Sequence, residues 1–203
     1  MPGIELTQQI RRFQVFLQIQ WVRRVLLLGA EDTQSALIFV RKGFELTVLD
    51  PPQETLDGLA KELDAAGLSA RLLKAAPGDL PVPLRHFDFA VGFNCLYQTT
   101  LEGLTERFEG LLSGIRKDGF FYITLISTKN TNYRKDREIE PQTFADKGEM
   151  RHYCDAREIV TLLRHMEVID LRNAEQGSEG SFHWHVLGRN RDMAPAEEDE
   201  SDS

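Results

Sequence analysis

Several short segments carry residues able to handle a polar ligand. Gly29 ends a continuous apolar run, Val25-Leu26-Leu27-Leu28. A glycine there lets the backbone turn sharply and approach a ligand closely. Asp50 ends a second run, where a carboxylate can accept both hydroxyl hydrogens of a ribose. The same residue equally suits the start of a turn before Pro51 and Pro52. In Gly78-Asp79-Leu80, Asp79 has the chemistry to accept from a base amino group, although Pro77-Gly78-Asp79 also reads as an ordinary turn. A fourth loop, Asn94-Cys95-Leu96-Tyr97-Gln98, follows another apolar run. His152, His183 and His185 are the imidazoles on hand for proton transfer. Arg151-His152-Tyr153 has the charge to hold an anionic substrate or to support a lid, and it reads equally as an ordinary salt-bridged loop. His183 and His185 stand two apart, so on a strand they share a face; partly exposed surface or core positions explain that spacing better than a metal site.

The elements that must position these residues alternate between strand and helix. Residues 6–21 carry Ile10, Phe13, Phe16, Leu17 and Trp21 near helical spacing. The run 25–28 reads as a strand buried on both faces. Ala36, Leu37 and Val40 then mark a helix ending at Lys42-Gly43, and residues 45–49 a second strand. Leu56, Leu59, Ala60 and Leu63 predict a helix stopped by Gly67, followed by strands at 70–73 and 87–91. Leu101, Leu104, Phe108, Leu111, Leu112 and Ile115 form the clearest amphipathic stripe, closing at Lys117-Asp118-Gly119, and residues 120–126 are rich in β formers. This alternation predicts an α/β fold: a mainly parallel sheet with right-handed crossovers. Ligands bind such sheets beyond the carboxyl ends of the strands, where the loops named above fall.

The chain divides into one domain over 1–191, with an N-terminal helix within 1–22 and an inserted polar loop or lid at 128–153. A loop that long is more often functional than decorative. Residues 156–165 return to a helix, and 168–171 and 182–187 close the domain as strands around a turn at 177–180. An acidic stretch at 192–203 is expected to be a disordered tail, with docking of a protein partner as its possible use. At 203 residues there is room for one sizeable core and not for two full α/β domains. The net charge of −8 argues against nucleic-acid binding, and the short basic stretch 129–137 around Tyr133 reads as a solvated loop. No apolar run suggests a membrane segment or a secretion signal, so a cytoplasmic protein is expected. Cys95 and Cys154 lack the spacing of a metal knuckle or redox motif, so two reduced thiols and no metal are expected.

Arg24-Val25-Leu26-Leu27-Leu28-Gly29 and Lys42-Gly43-Phe44-Glu45-Leu46-Thr47-Val48-Leu49-Asp50 together resemble the opening of class I S-adenosylmethionine-dependent methyltransferases. Phe87-Asp88-Phe89-Ala90-Val91 and the stretch 111–121 extend the likeness. Ile139-Glu140-Pro141-Gln142-Thr143-Phe144, Arg151-His152-Tyr153 and His183-Trp184-His185-Val186-Leu187-Gly188-Arg189 are similar to segments of the small tellurite-resistance-type branch. The resemblance implies a Rossmann-like methyltransferase fold with a seven-stranded sheet flanked by helices. It further implies methyl transfer to a small-molecule acceptor by direct displacement. S-adenosylmethionine would lie against Gly29, Glu31, Asp50, Asp79, Leu80, Asn94 and Cys95, and the substrate against Tyr97, Arg151, His152 and Tyr153. The family's first turn usually reads Asp-Leu-Gly-x-Gly-x-Gly; here Leu27, Glu31 and Thr33 replace the acid and the later glycines. Glu31 and Asp32 would attract the cofactor's cationic groups and repel its carboxylate. The alternative is a catalytically inactive protein of this fold serving as a binding or regulatory partner. A dinucleotide enzyme is weaker still, since that cofactor also needs the missing glycines.

Overall fold

The structure is a computed structural model that describes residues 2–29, 33–49, 53–74, 83–146 and 149–191. Helix α1 (Pro2–Ile19) precedes β1 (Arg24–Leu28), α2 (Thr33–Arg41), β2 (Glu45–Leu49), α3 (Gln53–Ala66) and β3 (Arg71–Leu73). Then follow β4 (Phe87–Gly92), α4 (Leu101–Gly114), β5 (Ile115–Ile126), the short strands β6 (Glu138–Glu140), β7 (Thr143–Asp146) and β8 (Glu149–His152), α5 (Ala156–Leu162), β9 (Glu167–Glu175) and β10 (Phe182–Arg189).

Seven strands form one sheet in the order β3-β2-β1-β4-β5-β10-β9. Pairing is parallel from β3 through β5, and β10 runs antiparallel to both β5 and β9. The expected mainly parallel sheet of seven strands is therefore present. Central strand β1 is apolar from Val25 to Leu28 because both faces are covered, whereas the edge strand β9 carries charged and exposed residues. In β1, Val25 and Leu27 join the core under α1, α2 and α3, whereas Leu26 joins the core under α4 and α5. Helix α1 contributes Leu6, Ile10, Phe13 and Leu17, all buried, and the Phe13 ring meets Tyr122 edge-on at 4.8 Å.

Several boundaries differ from the sequence expectation, among them α5, which ends at Leu162, and β9, which runs over Glu167–Glu175. Trp21 does not belong to the apolar stripe of the first helix: it lies beyond α1 with φ +55° and is 82% exposed, while Val22 is buried nearby. The strand expected from Phe120 begins at Ile115, straight after α4, with a register shift against β4 between Phe87 and Phe89. The polar stretch after Ser127 is more than a loop. It holds a three-stranded antiparallel sheet, β6-β7-β8, whose strands of three or four residues are too short for an alternation to register.

The amino ends of β1 and β4 are tied by a buried carboxylate. Asp88 accepts backbone N–H bonds from Arg23 at 3.0 Å and Arg24 at 2.8 Å, and the Arg116 Nε bond at 2.7 Å. Burial alone would push the Asp88 carboxyl up, but the Arg24 N–H, the Arg116 side chain and the Arg23 N–H together hold it below its ordinary value. This cluster sits at the end of the sheet opposite the expected ligand loops.

Candidate functional site at the carboxyl ends of the strands

The strand order reverses between β1 and β4, and in open α/β sheets a crevice opens at that point. Gly29 and the loop after β4 meet there. Gly29 has φ +62°, and its N–H donates to the Leu49 carbonyl at 3.2 Å. A Cβ at this position would lie 2.6 Å from Cys95 Cβ. Glycine is thus required twice, by the left-handed backbone and by the approach of the β4 loop. The Cys95 thiol also points at the Leu28 carbonyl, 3.7 Å away.

Asn94 is buried, has φ +56°, and is held from three sides. Its N–H donates to Thr124 Oγ1 at 2.9 Å; that hydroxyl donates to Asn94 Oδ1 at 3.0 Å, and Gln176 Nε2 donates to the same oxygen at 2.8 Å. The β4 loop is thereby fixed to β5 and to the end of β9. Thr124 and Gln176 do not stand out in the sequence, because only the folded sheet brings them beside Asn94.

Among the residues named for a cofactor, Gly29, Asn94 and Cys95 come together in this crevice. Glu31, Asp50, Asp79 and Leu80 lie outside the described residues, as does the acidic stretch 192–203.

The three histidines have separate surroundings. His185 lies in the core beneath α1, with Nδ1 2.8 Å from the Tyr122 hydroxyl. Burial, with Arg172 nearby, pushes it down to about 4, so it is neutral at physiological pH. His183 lies closer to the ligand end, its ring 6.0 Å from that of Tyr97. Its Nδ1–H donates to the Ser181 carbonyl at 3.0 Å, and burial lowers its pKa; in the neutral form Nε2 keeps a free lone pair. His183 and His185 do share a strand face, as their spacing required.

His152 is wholly buried. Its Nδ1 is 2.8 Å from Thr143 Oγ1 and its Nε2 is 3.2 Å from Glu158 Oε2. Its backbone N–H donates to the Tyr97 carbonyl at 2.9 Å, which anchors the inserted sheet on the β4 loop.

Arg151 and Tyr153 flank His152 and open onto a cavity of about 430 Å³ bounded by Asn132, Arg134, Arg137, Phe144 and Glu149. Three guanidinium groups and two aromatic rings therefore converge on one space. The stretch around Tyr133, expected to be only a solvated loop, supplies two of those arginines. Tyr133 packs against Phe144 and Tyr153, and its hydroxyl donates to Glu138 at 2.9 Å. Burial and the neighbouring Glu138 carboxylate push the phenol up to about 12, so it stays protonated. Arg151 pairs with Glu149.

No described helix is long and apolar enough to cross a membrane. Cys95 and Cys154 are both free thiols. Burial, with Glu158 and Asp155 close by, raises the Cys154 thiol well above its ordinary range.

No family model matches the chain, and no curated protein does. Solved structures do. A structure described as a SAM-dependent methyltransferase from Methanosarcina mazei superposes with a TM-score of 0.68 at 16% identity, covering 82% of this chain and 92% of its own. The 1,6-didemethyltoxoflavin-N1-methyltransferase of Burkholderia thailandensis, solved with its substrate and S-adenosylhomocysteine, gives 0.66 at 17% identity over 88% and 76%. TehB from Haemophilus influenzae gives 0.68 at 13% identity over 88% of this chain and 61% of its own. The chain therefore carries the Rossmann-like fold of S-adenosylmethionine-dependent methyltransferases.

Proposed function

We propose that this protein transfers a methyl group from S-adenosylmethionine to a small anionic acceptor. The observation that carries the reading is the convergence of Gly29, Asn94 and Cys95 at the point where the strand order reverses, beside an arginine-lined cavity. The left-handed Gly29 turn and the fixed Asn94 loop fit a cofactor lying across the ends of β1 and β4. In sequence Asp50 follows β2, and Asp79 and Leu80 follow β3; we assign Asp50 to the ribose and Asp79 and Leu80 to the adenine. Bound there, S-adenosylmethionine supplies a methyl group already activated by its sulfonium. The work left to the protein is alignment and exclusion of water. Arg134, Arg137 and Arg151 hold the acceptor's negative charge, and Phe144 and Tyr153 cover its apolar part. Tyr97 joins the β4 loop to the inserted sheet through its carbonyl, which accepts the His152 N–H. Of the three imidazoles, His183 is the one beside Tyr97 with a nitrogen free to take a proton from an oxygen or nitrogen acceptor.

A second reading keeps the fold and drops the catalysis. It is favoured by Thr33, which stands where the family has glycine and donates its hydroxyl to Glu62 at 3.0 Å. Calorimetric titration of the full chain separates the two. Binding of S-adenosylmethionine and S-adenosylhomocysteine supports the enzyme; no heat from either at millimolar concentration leaves only the binding protein.

A further inference from the structure

Where β8 runs into α5, three side chains of different chemistry point into one small space. The ligating atoms of His152, Cys154 and Glu158 all lie within 4.8 Å of one another. His152 and Cys154 are two apart on extended chain and so share a side, while Glu158 reaches them from the first turn of α5. We infer that this cluster is a site for a divalent transition metal, zinc by preference, that fastens the inserted sheet to α5.

The proton arrangement around His152 is the first reason. Thr143 Oγ1 donates its one hydrogen to Glu140 at 3.0 Å, so its contact with His152 must be one it accepts, from Nδ1–H at 2.8 Å. In the neutral ring Nε2 is then a bare lone pair, and it faces the Glu158 carboxylate at 3.2 Å. Two acceptors at that distance repel unless a proton or a metal cation stands between them. A metal ion answers this. The Nδ1–H bond to Thr143, continued to Glu140, is also the kind of outer support that metal-bound imidazoles almost always have.

Charge and donor type are the second reason. A divalent ion with one thiolate, one carboxylate and one neutral imidazole is neutral overall, which suits a place where His152 and Cys154 are almost fully buried. Nitrogen and sulfur donors together select zinc over magnesium or calcium. Tetrahedral zinc holds such donors about 3.5 Å apart, so the most widely separated of the three atoms must close by about 1 Å. The third reason is a spare donor and a way in. Gln142 donates from Nε2 to Glu158 at 3.2 Å, and its Oε1 is buried with no partner, available for the fourth position. Gln142, Cys154 and Glu158 also border a groove of about 580 Å³ between α4 and α5, which gives an ion access. On binding, the Cys154 thiol loses its proton to solvent and the sulfur–metal bond replaces the S–H bond. The site does not depend on the methyltransferase reading.

The test is cobalt titration of the full chain after removal of metals by chelation and dialysis. A thiolate-to-cobalt charge-transfer band with intense tetrahedral d–d bands, saturating at one ion per chain and displaced by zinc, is expected. The bands must persist in Cys95→Ser, which leaves Cys154 as the remaining cysteine. They must vanish in Cys154→Ser, and Thr143→Val should weaken zinc binding by about 10–100-fold. Absence of the bands from wild-type protein and from Cys95→Ser, both folded by circular dichroism, overturns the site and leaves a proton bridging His152 and Glu158. Survival of the bands in Cys154→Ser overturns it equally.

Discussion

Replacing His185 by glutamine removes an imidazole that the fold keeps neutral, and the consequence is a change in how stability depends on pH. Tyr122 on β5 meets Nδ1; Arg172 and Asp170 on β9, Arg12 on α1 and His183 on β10 supply the surrounding charges. Burial dominates, and His185 falls from an ordinary 6.5 to about 4. Because the folded state binds the proton less readily than the unfolded chain, the stability concerned is fully present above pH 6.5. It is lost as pH falls from 6.5 towards 4, and below that the loss is complete. Each unit of depression corresponds to about 1.4 kcal/mol, so the whole effect is about 3 kcal/mol. Urea unfolding followed by tryptophan fluorescence at several pH values between 8 and 4 reads it directly. Wild-type protein should lose that amount across the window, with His183 adding to it, since its pKa is lowered as well. His185→Gln should be less stable at pH 8 and show a flatter decline, with the difference between the two curves closing by about 3 kcal/mol. Parallel curves, or a His185 resonance titrating near 6.5, would refute the reasoning.

Two further outcomes follow from the geometry. Gly29→Ala places a Cβ 2.6 Å from Cys95 Cβ on a residue with φ +62°. It should cost about 2 kcal/mol or more in urea unfolding, and weaken S-adenosylmethionine binding in calorimetry because the β4 loop must move away. Asp88→Ala deprives the Arg23 and Arg24 N–H groups and Arg116 of their acceptor and should cost about 3 kcal/mol at neutral pH. Since the folded carboxyl sits below its ordinary 3.8, that contribution is present above this value and lost as pH falls through the folded pKa; the deficit of the variant should shrink in acid.

Much of this protein was legible in its sequence, because strands buried on both faces and helices with one apolar stripe leave direct marks on the order of residues. The runs 25–28, 45–49 and 87–91, the first two with stops at Gly29 and Asp50, were sufficient to define a parallel sheet and the end where its loops gather. Tertiary structure alone decided the rest. His183 and His185 look alike in sequence, yet α1 buries one in the core and the end of the sheet leaves the other beside Tyr97. Cys95 meets Gly29 from 66 residues away, and Thr143, itself bonded to Glu140, meets His152 through a hairpin whose strands are too short to announce themselves. A residue's covalent neighbours determine which element it joins. Its charge state and its ligands are set by whatever the sheet order brings against it, and that order is fixed by contacts remote in sequence.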